Sequence, residues 1–118
     1  MVDLKTGRLP DRSEVVIGLA PQLPLEAAMV EAGAFDHAGR AAVAELLFWQ
    51  LRGDETGGEE RRAASLGPAE LAGQALAGLS RLIAHYDSRQ TGYQARPKPE
   101  VAWRGDYDHL ARRGEWTA

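Results

Sequence analysis

The chain has 118 residues, of which 44% are hydrophobic and 26% charged, and its net charge is −3. These values indicate about one folded domain rather than a disordered chain, and no apolar run approaches the roughly 18 residues that cross a bilayer. The chain has no cysteine, which excludes disulfides, thiolate zinc sites and iron–sulfur clusters. We predict a single cytoplasmic domain over residues 1–118, of the α/β or α+β class, with few strands flanked by helices.

The first third of the chain predicts one short strand followed by two helices. Residues 2–6 have the pattern of a strand, and residues 13–17 that of a single helical turn. Residues 21–32 carry apolar side chains at helical spacing, so a longer helix is expected there. Gly33 is typical of the residue that ends a helix.

The middle of the chain predicts a buried strand, a loop and a long helix. Residues 43–51 are almost continuously apolar and rich in aromatic residues, so we expect a strand covered on both faces, with Trp49 in the core. Residues 53–67 hold glycines and charged residues with few apolar groups, which indicates a mobile loop. A long amphipathic helix should begin at Pro68 and end near residues 87–89.

The end of the chain is locally basic. Residues 1–88 carry 8 Lys and Arg against 13 Asp and Glu, a charge of −5, whereas residues 89–118 carry 6 against 4, a charge of +2. We predict an extended basic tail with a short helix over residues 89–118. Arg96, Lys98 and Arg104 are candidates to contact a DNA backbone, and a tail exposed only to solvent is the equal alternative.

Asp3 and Lys5 are the first candidate site. Residues two apart in a strand project to the same side, so a carboxylate and an ammonium lie next to each other. A carboxylate there could hold Mg²⁺, and the ammonium could stabilise a phosphoryl transition state. An ordinary ion pair on an exposed strand is the alternative that the two residues leave open.

A wider set of motifs resembles the PD-(D/E)XK nuclease superfamily. In its RecB-like branch a strand ends D-x-K-T-G, and a following helix carries a Gln motif. The stretches "DLKTGRLP", "GLAPQLPLEAAMVEAGAF", "RPKPE" and "GDYDHLARRGEW" occur here in order. They are most similar to the C-terminal end of the AddB family, one subunit of the bacterial AddAB helicase–nuclease, in its alphaproteobacterial form. The resemblance implies a partial restriction-endonuclease-like nuclease fold.

The resemblance also implies roles for individual residues. Asp3 would bind the metal, Lys5 would be the active-site lysine, and Gln22 would help to place DNA or the lysine. The implied activity is that of a Mg²⁺-dependent DNA exonuclease acting on DNA ends in double-strand break repair and recombination. The implied partner is an AddA-type helicase–nuclease subunit, and the lack of cysteine excludes the iron–sulfur cluster of some family members.

Two departures from the family pattern qualify this reading. The family commonly has a Tyr four residues after the Gln, where this chain has Glu26. The family also takes further acidic ligands from segments before the D-x-K strand, and none can be assigned here. We therefore expect the C-terminal part of a longer nuclease, with little activity of its own. Residues 1–9 would be disordered or would pair with a second copy of the chain. The alternative is a non-catalytic protein- or DNA-binding module with a surface Asp–Lys pair.

Overall fold

The computed structural model describes residues 1–55, 57–93 and 110. Within these residues the chain forms a small mixed α+β domain with a three-stranded sheet and three helices, in agreement with the predicted class. In chain order the elements are β1 (Val2–Lys5), α1 (Arg12–Val16), α2 (Gln22–Ala32), β2 (Leu47–Leu51), β3 (Gly58–Arg62) and α3 (Pro68–Asp87). No helix in the described part of the chain is both long enough and apolar enough to span a membrane.

The sheet has the order β1-β2-β3, with β1 parallel and β3 antiparallel to β2. A parallel pair needs a long connection, and here the chain between β1 and β2 contains both α1 and α2. In the register, Asp3 lies opposite Phe48 and Lys5 lies opposite Gln50. The carboxyl ends of β1 and β2 therefore meet at one edge of the sheet.

One face of the sheet is packed and the other is open. Phe48 is buried on the packed face, where α2 contributes Leu23 and Ala27 and α3 contributes Leu71 to the same core cluster. The buried hydrophobic residues are Leu9, Val15, Leu23, Ala27, Leu46, Phe48, Ala63, Ala64, Leu71 and Ala72. Because side chains alternate along a strand, Asp3 and Lys5 lie on this packed face together with Phe48.

The predictions for the first strand and the first two helices are confirmed. β1, α1 and α2 lie within a residue of their predicted bounds. Gly33 follows the last residue of α2 with φ of 78°, a left-handed conformation that favours glycine. The Gly33 N–H donates to the Val30 carbonyl and the Ala34 N–H donates to the Met29 carbonyl, which satisfies acceptors that the end of a helix leaves free.

The prediction for the second strand is wrong at its start and in its environment. β2 begins at Leu47 rather than at residue 43, and its two faces differ. Trp49 is 43% exposed and Leu51 is 50% exposed, so Trp49 is not a core residue. Its indole Nε1–H instead donates to Glu60 Oε2 on β3 at 2.6 Å. The physical reason is that only alternate side chains of β2 face the helices.

Residues 53–67 are not a loop throughout. Gly58–Arg62 forms β3, which pairs along the whole of β2. Its sequence is glycine followed by four charged residues, which hides the strand from a search for apolar residues. A strand at the edge of a sheet with an open face can be this polar, because few of its side chains enter the core.

α3 begins at Pro68 and ends at Asp87, as predicted, but its apolar stripe is largely exposed. Leu71 and Ala72 are buried near its start, whereas Leu76 is 53% exposed. The described residues divide into two units, one over Met1–Arg81 and a second that begins at Leu82. In the second unit, the rings of Tyr86 and Tyr93 stack with their centroids 5.0 Å apart.

The N-terminal segment is ordered against its own sheet, so the alternative of disorder over residues 1–9 is wrong. All four residues of β1 pair with β2, and the Leu47 N–H donates to the Met1 carbonyl at 3.0 Å. On its other side β1 has no neighbouring strand within the described residues. Pairing of that edge with a second copy stays a prediction.

Candidate functional site

The candidate site lies where β1 and β2 end and α2 begins. Lys5 is the last residue of β1, Gln50 is its register partner on β2, and Gln22 is the first residue of α2. The edge at the carboxyl ends of parallel strands, next to a helix N-terminus, is where α/β proteins commonly bind ligands. The geometry therefore places the predicted residues at a plausible position in the fold.

Asp3 and Lys5 form a partly buried ion pair. Lys5 Nζ lies 2.8 Å from Asp3 Oδ2, and the two side chains are 31% and 10% exposed, respectively. Oδ2 is buried, and within the described residues it has no hydrogen-bond partner beyond this ion pair with Lys5. A carboxylate oxygen has more than one lone pair, so Oδ2 can accept a hard cation in addition to, or in place of, the Lys5 ammonium. The pair is thus shielded from solvent at Asp3 and more exposed at Lys5.

Gln22 connects Lys5 to α2. Its Oε1 accepts a hydrogen bond from Lys5 Nζ at 3.2 Å, and its Nε2 donates to Glu26 Oε1 at 3.1 Å. An ammonium only donates and a carboxylate only accepts, so these partners define which way the amide points. Glu26, at the position where the similar family commonly has a Tyr, therefore orients Gln22 toward Lys5.

The structure adds Gln50 and Arg52 to the candidate site, two residues that the sequence did not indicate. Gln50 Nε2 donates to the Gly7 carbonyl at 2.7 Å. Gln50 Oε1 accepts from Arg52 at two atoms, Nε at 3.1 Å and Nη2 at 2.8 Å. Gln50 lies across from Lys5 only because of the register between β1 and β2, which no local pattern in the sequence reveals.

Asp3 is a suitable ligand for a hard cation, but it does not make a complete cage. Within the described residues no group of three or more Asp, Glu, His or Cys side chains is arranged to hold a metal. Mg²⁺ is often held by one or two carboxylates, with waters and substrate phosphates supplying the other oxygens. The residues present therefore fit one protein ligand of a Mg²⁺ site.

The structure brings together Asp3, Lys5 and Gln22, but it says nothing of the other predicted DNA contacts. Arg96, Lys98 and Arg104 lie outside the described residues, as does most of the predicted basic tail. Their contact with DNA stays a prediction.

A comparison of the chain with protein-family models, with curated proteins and with solved structures finds no match.

Proposed function

We propose that the chain is the C-terminal part of a PD-(D/E)XK nuclease domain of the RecB-like branch, related to the AddB family. The longer protein would be a Mg²⁺-dependent DNA exonuclease that acts on DNA ends in double-strand break repair. It would work in the cytoplasm with an AddA-type helicase–nuclease subunit. One observation carries this proposal: Lys5 lies between Asp3 and Gln22 at the carboxyl end of a parallel strand.

Asp3 is the residue that would hold the metal, through the carboxylate that now pairs with Lys5. A bound Mg²⁺ supplies Lewis-acid stabilisation of a phosphoryl oxygen and lowers the pKa of a bound water. The restriction-endonuclease-like fold belongs to the same proposal, supported by the parallel pair β1–β2 with helices between its strands.

Lys5 is the residue that would face the scissile phosphate. Its ammonium can stabilise negative charge that develops on a phosphoryl oxygen, provided that it is held in place. Gln22 provides that support at 3.2 Å, and Glu26 fixes the Gln22 amide in turn. A cation on Asp3 would take over as the counter-charge of that carboxylate and leave Lys5 to the phosphate.

The 118-residue chain by itself should release little or no nucleotide from DNA. The described residues bring the partly buried carboxylate of Asp3 to this edge of the sheet, and they hold no cluster of three metal-ligating groups. The remaining acidic ligands would come from elsewhere in the full protein.

Metal binding at Asp3 tests the proposal. In NMR spectra of the chain, added Mn²⁺ should broaden the backbone amide signals of residues 3–7 and 50–52 first, because paramagnetic broadening falls steeply with distance. Asp3→Asn should abolish this local broadening, since it removes the anionic ligand and keeps the shape. The matched control is Asp11→Asn, because Asp11 is an exposed carboxylate at the start of α1.

Two results would contradict the proposal. Broadening at residues 3–7 that is the same in Asp3→Asn would show that Asp3 holds no cation. Release of nucleotide from linear DNA with Mg²⁺ that survives both Asp3→Asn and Lys5→Ala would place any nuclease activity elsewhere. Release that Lys5→Ala abolishes would support the nuclease and contradict only the expectation that this chain is inactive alone.

A non-catalytic binding module is the second candidate. The observation that favours it is the open face of the sheet, where Leu4 is 59% exposed beside Trp49 on the neighbouring strand. An apolar face of this kind fits a protein partner better than DNA, because a DNA backbone attracts cations. Absence of metal binding at Asp3, together with absence of DNA binding, would favour this candidate.

A further inference from the structure

Gln50 links the turn after Lys5 to an arginine at the end of the neighbouring strand. Lys5 and Gln50 are register partners in a parallel pair, so their side chains lie on the same face of the sheet. Gln50 Nε2 donates a hydrogen bond to the Gly7 carbonyl at 2.7 Å. The loop that leaves β1 is therefore tied to β2 directly beside the Asp3–Lys5 pair.

The same amide holds Arg52. Its Nε and Nη2 atoms both donate to Gln50 Oε1, at 3.1 Å and 2.8 Å. A guanidinium only donates, so the carbonyl oxygen of Gln50 must face Arg52 and its amino group must face Gly7. Arg52 thus has a fixed side-chain direction although it lies on the surface.

The hydrogen bonds of Arg52 are made to an uncharged partner. Arg8 pairs with Glu14 at 2.9 Å, and Arg62 pairs with Glu45 at 2.5 Å. By contrast, the hydrogen bonds that the Arg52 guanidinium makes within the described residues go to the neutral carbonyl of Gln50. The hydrogen bonds to Gln50 therefore hold the guanidinium without placing a carboxylate against it, at the edge of the sheet where β1 and β2 end.

The free edge of Arg52 suits a phosphate. Within the described residues, Gln50 occupies Nε and one side of Nη2 and leaves the Nη1 group and the outer edge of the guanidinium for another acceptor. That edge presents parallel N–H donors, which match two oxygens of a phosphate group. Since the proposed function assigns Lys5 to one phosphate, Arg52 is a second cation among the described residues of this edge that can bind another anion.

We infer that Arg52 binds a backbone phosphate of DNA beside the phosphate that Lys5 faces, and that Gln50 is the positioning residue that holds it there. This inference rests on the proposed function for the identity of the ligand, a nucleic-acid backbone. It adds a protein contact that the Asp3–Lys5–Gln22 group does not provide.

The test is binding of the 118-residue chain to a fluorescent linear duplex, measured by anisotropy at several salt concentrations without a divalent metal. Arg52→Gln should weaken binding roughly tenfold, the size of one charge-assisted contact. It should also lower the slope of log affinity against log salt by about 0.9, because one phosphate contact is lost. Arg52→Lys should keep the slope but lose part of the affinity, because lysine keeps the charge but lacks the parallel N–H donors of a guanidinium.

Gln50→Met separates positioning from charge. It should weaken binding while leaving the salt slope unchanged, because Arg52 keeps its charge but loses its support. The matched control is Arg40→Gln. Arg40 lies against Gly33 at the far end of α2, which has 11 residues and so is about 16 Å long. Circular dichroism of each variant checks that the fold is kept.

Three results would overturn the inference: failure of the unchanged chain to bind the duplex, an Arg52→Gln variant that binds as the parent does, or an equal loss in Arg40→Gln. These results are distinct from failure of the proposed function. If Arg52→Gln weakens DNA binding but Mn²⁺ does not bind at Asp3, the phosphate contact is supported and the proposed nuclease function is rejected. If Mn²⁺ binds at Asp3 but Arg52→Gln has no effect on DNA binding, the nuclease function is supported and the phosphate contact is rejected.

Discussion

Among single residues, Glu14 shows how one carboxylate organises the turn that follows the candidate site. Its side chain accepts from Arg8 Nη2 at 2.9 Å and from the Asp11 N–H at 2.7 Å. Its backbone carbonyl accepts from Leu19 and Ala20 after α1 has ended. The residue is buried, so these hydrogen bonds meet the polar groups that burial would otherwise leave unpaired.

The hydrogen bond from Arg8, followed by that from the Asp11 N–H, lowers the pKa of Glu14 below its ordinary value of 4.5. The same contact with Glu14 raises the pKa of Arg8. A carboxylate whose pKa is lower in the folded state stabilises the fold above its unfolded pKa. That contribution is lost as the pH falls below 4.5 and through the lower folded pKa.

Glu14→Gln should therefore lower stability at neutral pH and reduce the loss of stability in acid. The measurement is the urea midpoint of unfolding at about pH 7 and about pH 3, where the parent should lose more than the variant. Glu70→Gln, a change at an exposed carboxylate near the start of α3, is the control and should follow the parent. An equal acid loss in parent and Glu14→Gln would contradict this role.

Among the elements, the β2–β3 pair depends on a close approach at its turn. Gly58 lies opposite Leu51, and a Cβ added there would meet the Gln50 carbonyl oxygen at 2.5 Å. Real Cβ atoms do not approach a backbone oxygen this closely, so the two strands would have to separate. Because Gln50 holds both Gly7 and Arg52, this pairing also supports the candidate site.

Gly58→Ala should destabilise the fold by about 1–3 kcal/mol, the usual cost of forcing extra volume into a packed position. Gly53→Ala is the matched control. A Cβ at Gly53 meets nothing within 4 Å, so its effect should stay within about 0.5 kcal/mol. Urea unfolding of the two variants checks the difference, and equal stabilities would show that the strands can adjust to the added methyl group.

For the molecule as a whole, the sheet carries apolar side chains that its own helices do not cover. Val2 is 44% exposed and Leu4 is 59% exposed on β1, beside Trp49 and Leu51 on β2. β1 also has a side without a neighbouring strand within the described residues. A strand edge and an apolar face together favour association with another chain.

We predict that the 118-residue chain self-associates through β1 as its concentration rises, as measured by sedimentation equilibrium. Leu4→Lys should shift the chain toward monomer, because it places a charge on the edge strand. Met29→Lys makes a similar change at a residue of α2 that is 45% exposed, and it should not alter association. A parent chain that stays monomeric at every concentration, or equal effects of both variants, would exclude this interface.

How much of the fold could be predicted depends on the range of the interactions involved. α2 follows from apolar spacing and from Gly33, and the start of α3 follows from Pro68, all of which act within a few residues. The charged sequence of β3 carries no such local signal, since its partner β2 is what makes it a strand. The burial of Trp49 failed as a prediction because it depends on which face of the sheet the helices cover.

The sequence by itself determined that Asp3 and Lys5 project to the same side, because the alternation of side chains along a strand is a property of the backbone. It also supplied Gln22 as a candidate, through resemblance. Only the tertiary structure brought Gln22 into hydrogen-bonding contact with Lys5 and placed Gln50 opposite Lys5 on the neighbouring strand. The register between distant strands and the position of α2 depend on packing across the whole core. Arg52 acquires its fixed direction from that same register.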